Sequence, residues 1–242
     1  MTRFFASQEE MSGERILLTG ENAQHAKVLR LKPGETVLVC DGEGQECLCQ
    51  IFSTDPWELR VTERRASQSE AAVRVSVYMA FPKADKLEYV IQKATELGVY
   101  EIVAFPSVRC VSRPDDRSLK KKQERWQKIA ASAAQQSGRG RIPRVVVLDS
   151  FREALSQAAK ADKALLFYEN EHATTLRMAL EAGSWKTVSL LTGPEGGLEE
   201  SEVTQARQAG FQVCTLGRRI LRCETAPLVA LTALLYETGD LD

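Results

Sequence analysis

The sequence predicts an α/β fold class in two parts: a small N-terminal β-barrel over residues 1–69 and an α/β domain over residues 73–242. Three observations carry that expectation. Short β-rich runs, separated by turn residues, fill the chain up to about Ser69. From Val73 onward, strand-like and helix-like runs alternate at the spacing of a mostly parallel sheet. Between the two lies RASQSEAA at 65–72, polar and without apolar periodicity, which reads as a linker.

In the first part, 36–40 is β-rich, 46–52 alternates in polarity, and 57–64 alternates again. Lys32-Pro33-Gly34, Asp41-Gly42-Glu43-Gly44 and Asp55-Pro56 supply turn chemistry between them. Several short strands with tight turns suggest a small barrel. In the second part, 73–81 reads as a strand and 86–97 as a helix that Gly98 terminates. A strand over 101–106 and a long charged helix over 116–136 follow. Shorter strands are expected at 145–148, 164–167, 188–191 and 212–216, with helices between, and an apolar helix at 226–237 closes the series.

A chain of 242 residues is long enough to bury one large core or two small ones. No apolar run reaches the length of a bilayer span, and the first residues lack a signal-peptide core, so a cytoplasmic location is expected. Six scattered cysteines with no C-x-x-C pair, and only His25 and His172 beside them, argue for free thiols and no metal. The net charge of −1 hides an asymmetry: residues 109–144 carry eleven Lys/Arg against three Asp/Glu. Such a local field suits a nucleic-acid partner, whereas a solvated helix face is its plainer explanation.

The chemistry concentrates in two loops about 20 residues apart. Gly193-Pro194-Glu195-Gly196-Gly197 leaves the apolar run ending at Leu191, and Glu199, Glu200 and Ser201 then begin a helix. Leu216-Gly217-Arg218-Arg219-Ile220-Leu221-Arg222-Cys223-Glu224 also leaves a strand, and Thr225 and Pro227 mark the next helix start. Ligands of open α/β sheets bind beyond the carboxyl ends of strands, where both loops must lie. Glycines let a ligand approach the main chain; Ile220 and Leu221 could pack on a flat ring while Arg222 meets an anion. Neither loop is G-x-G-x-x-G, and the Walker lysine is missing, so dinucleotide and nucleoside-triphosphate binding are disfavoured. Either loop alone could be a turn-rich connection or a surface salt-bridge cluster; the ordered pair argues for a small-molecule pocket.

The strings LLTGPEGGLEESEV and LGRRILRCETAPLVAL resemble the signature of the RsmE family, SPOUT-class methyltransferases that act on N3 of a uridine in 16S ribosomal RNA. Pro82-Lys83, Lys86-Leu87-Glu88 and IQKATELGV at 91–99 resemble the family's first strand–helix unit. AQQSGR at 134–139 with Ile142-Pro143 resembles its basic loop, and Arg3-Phe4-Phe5 with HAKVLR at 25–30 resembles its N-terminal RNA-binding domain.

That resemblance implies a PUA/OB-like first domain and a SPOUT domain with a deep trefoil knot, a topology chains normally avoid. It implies S-adenosylmethionine as cofactor, held by Leu191, Thr192, Gly193, Pro194, Glu195, Gly196 and Gly197 from the first loop. Leu216, Gly217, Ile220, Leu221, Arg222, Thr225 and Ala226 would complete the cofactor site from the second. Arg222 is the candidate to stabilise a uridinate or grip phosphate; Glu195, Glu224 and Glu96 are the acids inside the matched motifs and the candidates to deprotonate N3, of which Glu96 could simply cap or pair within its unit. Arg3, His25, Lys27, Arg30, Arg109, Arg113, Arg139 and Arg141 form the candidate RNA-binding set. A homodimer is expected, with the apolar last helix either at its interface or in the core. The competing readings are a SPOUT ribose 2′-O-methyltransferase and a non-catalytic RNA-binding or ribosome-assembly factor.

Overall fold

A computed structural model describes residues 1–111, 116–181 and 183–241. The chain divides into two compact units, Met1–Glu70 with Ala134–Ile142, and Ala71–Ala133 with Pro143–Asp242. The segment 134–142, read from the sequence as a basic loop of the second domain, therefore groups with the first, and its first four residues end a helix.

The first unit contains β1 (Arg3–Phe5), β2 (Arg15–Leu17), α1 (Gly20–Val28), β3 (Thr36–Cys40), β4 (Gln45–Thr54) and β5 (Trp57–Ala66). Their order is β1-β3-β4-β5-β2, a half-barrel whose two edges are β1 and β2. The β3–β4–β5 meander is antiparallel, while β1 runs parallel to β3 with Arg3 opposite Leu38. Strand periodicity of two sends Val37 and Val39, Cys47 and Cys49, and Leu59 into one core with Phe4 and Ile16. The expected linker at 65–72 is not free. β5 runs to Ala66, and the Glu70 carboxylate accepts from the Arg139 guanidinium at 2.7 Å and from the Gly140 and Arg141 amides at 2.9 and 3.1 Å.

The second unit alternates strand and helix: β6 (Arg74–Ala80), α2 (Lys86–Leu97), β7 (Glu101–Phe105), α3 (Asp116–Ser137, whose residues 134–137 group with the first unit) and β8 (Arg144–Val147). It continues with α4 (Phe151–Ala158), β9 (Lys163–Phe167), α5 (Leu176–Leu180), β10 (Thr187–Thr192), α6 (Glu200–Gln208), β11 (Gln212–Cys214) and α7 (Ala226–Glu237). All six strands are parallel, in the order β11-β9-β10-β6-β7-β8. Their near-continuous apolar runs follow from burial on both faces.

Local signals set the helix ends. Gly98 ends α2 at φ 107°, a conformation that glycine adopts without the Cβ penalty. Glu199 and Glu202 form a reciprocal capping box at the start of α6. α7 is apolar on nearly every side because it packs among α2, β10 and β6. Pro227, Leu231, Leu234 and Leu235 are core, each leucine contributing roughly 1.5–3 kcal/mol of burial. Of the residues considered for an interface, only Val229 is exposed and Leu228 half-buried.

From β6 the chain builds outward through β7 and β8, then crosses to β9 and returns to insert β10 between β9 and β6. The loops after β6, β9, β10 and β11 therefore emerge together at the carboxyl edge of the sheet, where its winding reverses.

Candidate active site

Those four loops enclose a cleft of about 750 Å³, within the range of small-molecule sites. Its floor is the β10 loop. Gly193 is pressed against Gly197 and Leu198, so that a Cβ there would lie 3.0 Å from the Gly197 carbonyl carbon. Gly197 has φ +69°, and a Cβ on it would fall 2.1 Å from Glu169 Oε1, inside the van der Waals radius. The loop needs glycine for backbone shape at one position and for close approach at both. Arg109 closes over it from outside, donating to the Gly196 carbonyl at 3.0 Å.

The second wall is the β11 loop, carrying Leu216 to Cys223, with Ile220 86% exposed at its tip. The third follows β9 and brings Tyr168, Glu169, Asn170 and His172 to the cleft. Glu171 holds this loop by accepting from the Ala173 and Thr174 amides and from Arg207. Those partners pull its carboxyl down to about 2, the Ala173 amide most strongly.

Lys86, the first residue of α2, reaches across from the β6 side. Its ammonium lies 3.0 Å from Glu195 Oε1 and 3.2 Å from Glu224 Oε2. Glu195 also accepts from the Lys83 amide at 2.9 Å, and Cys223 Sγ donates to Glu224 at 3.2 Å. Burial pushes both carboxyls up, but the Lys83 amide and Lys86 more than offset it at Glu195, which sits below the usual range. At Glu224 its own amide, Cys223 and Lys86 do the same. Burial and the neighbouring Glu224 carboxylate push the Cys223 thiol up to about 12, so it stays protonated. The hydrogen bond to Glu195 holds the Lys86 ammonium above its ordinary value. A carboxylate with a lowered pKa is a poor proton acceptor at neutral pH. Glu195 and Glu224 thus present fixed negative charge, and exposed Arg218, Arg219 and Arg222 line the same cleft with positive charge.

Every residue expected to contact the cofactor lines this cleft except two. Leu191 is fully buried in the sheet, and Thr225 is the N-cap of α7. Of the proposed acids, Glu195 lines the cleft and Glu224 adjoins it through Lys86, while Glu96 pairs with Lys93 within α2 at 2.8 Å. The β9 loop and Lys86 were given no role by the sequence. The polar run YENEH directly after a buried strand is the signal that would have pointed to the former.

The basic candidates divide sharply. Lys27 and Arg30 are exposed at the end of α1. Arg139 is 2% exposed and ion-paired to Glu70, a correction to its assignment as a phosphate contact. Arg3 is likewise engaged, by Glu46 at 3.2 Å, and Arg141 by Glu43 at 3.1 Å. His25 Nδ1 lies 3.2 Å from Gln135 Nε2 and its ring meets the buried Phe4 edge-on, a structural setting. Arg109 serves the β10 loop, and Arg113 lies outside the described residues. The basic surplus of 109–144 is further reduced by Arg125 with Glu88 and Arg144 with Glu101. The acids that pair with Arg125, Arg139, Arg141 and Arg144 sit elsewhere in the sequence.

Comparison with known proteins agrees with this geometry. Residues 69–235 match the model of an RNA methyltransferase domain, and 18–63 that of an RNA methyltransferase PUA domain. Ribosomal RNA small subunit methyltransferase E of Bacillus subtilis is 37% identical over 251 residues, covering 98% of this chain and 97% of its own. The enzyme of that name from Neisseria gonorrhoeae, crystallised bound to S-adenosyl methionine, is 31% identical with a TM-score of 0.84 over 98% of each chain. A methyltransferase structure from Legionella pneumophila with the same cofactor gives 28% and 0.82, again over 98% of each chain. With its two units, its glycine-floored cleft and relatives matched from end to end, the chain belongs to the ribosomal RNA small subunit methyltransferase E family.

Proposed function

We propose that the protein transfers a methyl group from S-adenosylmethionine to N3 of a uridine in 16S ribosomal RNA of the small ribosomal subunit. The observation that carries this reading is the convergence of the β10 and β11 loops on one cleft, in a family with cofactor-bound relatives. The cleft suits the cofactor on its own terms. Gly193 and Gly197 let the loop fold closely on itself and on Glu169, so that main chain from 193 to 197 lines the floor for a planar base and a sugar; Leu216, Ile220 and Leu221 supply apolar cover, and Glu169 and Glu195 complement a cation. When bound, the cofactor supplies an electrophilic methyl on a sulfonium.

The protein's part is alignment and charge. N3 of uridine carries a proton and is a weak nucleophile until it leaves, so anion stabilisation lowers the barrier. Arg222, exposed at the cleft, takes that role, while the N3 proton passes to solvent water and the sulfonium's electron pair returns to sulfur as the methyl leaves. The lowered carboxyls favour Arg222 over proton abstraction by Glu195 or Glu224. Lys27 and Arg30 contact RNA phosphates. We further infer a homodimer and a knotted C-terminal segment, as expected for the family; Val229 and Tyr236 are the large apolar side chains that α7 exposes for an interface.

The test is transfer of labelled methyl from S-adenosylmethionine to small ribosomal subunits lacking the modification, followed by nucleoside mass spectrometry. 3-Methyluridine is the expected product. Label on a ribose hydroxyl would assign 2′-O chemistry instead, and absence of cofactor binding would favour an assembly factor.

A further inference from the structure

The β10 and β11 loops form two walls of the cleft, yet among the described residues no hydrogen bond or ion pair passes directly from 192–197 to 216–225. They meet through one side chain of a third element. Lys86 Nζ lies 3.0 Å from Glu195 on one loop and 3.2 Å from Glu224 on the other, with Cys223 Sγ at 3.8 Å. We propose that Lys86 is a positioning residue whose ammonium latches the β10 loop to the β11 loop and so shapes the cleft before any ligand arrives. The latch deepens the methyltransferase reading and rests on it for the identity of the ligand.

The placement supports a fixed anchor. Lys86 begins a helix whose Leu87, Val90 and Ile91 are buried, so its Cα has little freedom. Its side chain is 26% exposed and those of Glu195 and Glu224 are 24% and 18%, so all three are largely withdrawn from solvent. Two carboxylates facing one ammonium leave an excess negative charge. Without Lys86 they would repel each other across the cleft and drive its two walls apart. Arg109 and the Lys83 amide hold the β10 loop alone and cannot replace a contact that spans both.

The test uses the full-length protein with hydrogen exchange of the ligand-free form and calorimetry with S-adenosylhomocysteine. K86M is expected to accelerate exchange in both 193–197 and 217–225, and to weaken S-adenosylhomocysteine roughly tenfold, as truncating one member of a partly buried ion network does. K86R is expected to restore most of both. Adding E195Q to K86M should cost less affinity than adding it to the parent, because the carboxylate has already lost its partner. Should K86M fail to fold, K86Q and the single E195Q and E224Q variants carry the same exchange test. Unchanged exchange, or acceleration in one loop alone, would overturn the latch. Faster exchange in both loops of a protein that never binds S-adenosylhomocysteine would sustain the latch and overturn the cofactor reading.

Discussion

Both units of the molecule use Arg/Lys–Glu pairs to hold loops, but they use them in opposite surroundings. In the N-terminal unit the Arg139 side chain is 3% exposed against Glu70, and Glu46, at 2%, takes Arg3 and Arg65. Glu46 and Arg139 are almost wholly enclosed, while their partners Arg65 and Glu70 keep 32% and 18% exposure. In the C-terminal unit Lys86, Glu195 and Glu224 border an open cleft and keep an unbalanced charge. A basic residue inside a recognition motif is therefore not yet a recognition residue. Burial and partner decide whether it faces a ligand or braces the loop that does.

The sharpest way to break this comparison is at Arg139. R139M leaves Glu70 without its counter-ion in a nearly closed site and is expected to destabilise the protein by about 3–5 kcal/mol in urea unfolding. K27A with R30A removes two exposed cations; stability should change by no more than about 0.5 kcal/mol. Binding to a small-subunit RNA fragment should weaken, with a salt dependence shallower by roughly one per residue removed. A stable R139M that loses RNA affinity would return Arg139 to the recognition set.

The next effect in size belongs to the cleft floor. G197A places a Cβ at φ +69° and against Glu169, and is expected to cost about 1–3 kcal/mol in S-adenosylhomocysteine affinity by calorimetry. E169A with G197A removes the clash but not the backbone strain, and should recover part of the loss.

The smallest effect sharpens the role of the β9 loop. Glu171 titrates near 2 when folded against an ordinary 4.5, so the unfolded chain takes up its proton first as the solution is acidified. Its stabilising contribution is complete above pH 4.5 and disappears as pH falls toward 2. The stability gap between the parent and E171Q, followed by denaturant unfolding, should narrow over that window and stay level above it.

What could be read from the sequence was whatever short-range chemistry fixes. Helix α2 was legible to its last residue, because its apolar spacing and Gly98 are local signals. The β10 and β11 loops were legible because turn residues, strand ends and helix starts fall next to one another. The three-residue strands β1 and β2 were not, since they are strands only by pairing with Leu38 and with Arg60, far along the chain. The cleft's third wall and the Lys86 contact depend on strand order, which brings β6, β9 and β10 side by side. How much of the charge of 109–144 is engaged was not legible for the same reason: Glu43, Glu70, Glu88 and Glu101, which pair with four of its arginines, lie outside it.

The insertion of β10 between β9 and β6 also governs the order in which the protein can be made. As the chain leaves the ribosome, β6 can pair with β7 at once, but its other edge stays open until Thr187–Thr192 has been synthesised. The N-terminal unit waits too, because Ala134–Ile142 must emerge before Glu70 can gather Arg139. Non-local pairing of this kind folds slowly and leaves sheet edges uncovered meanwhile. The cleft, built from the loops beyond β10 and β11, is among the last parts of the nascent chain to take shape.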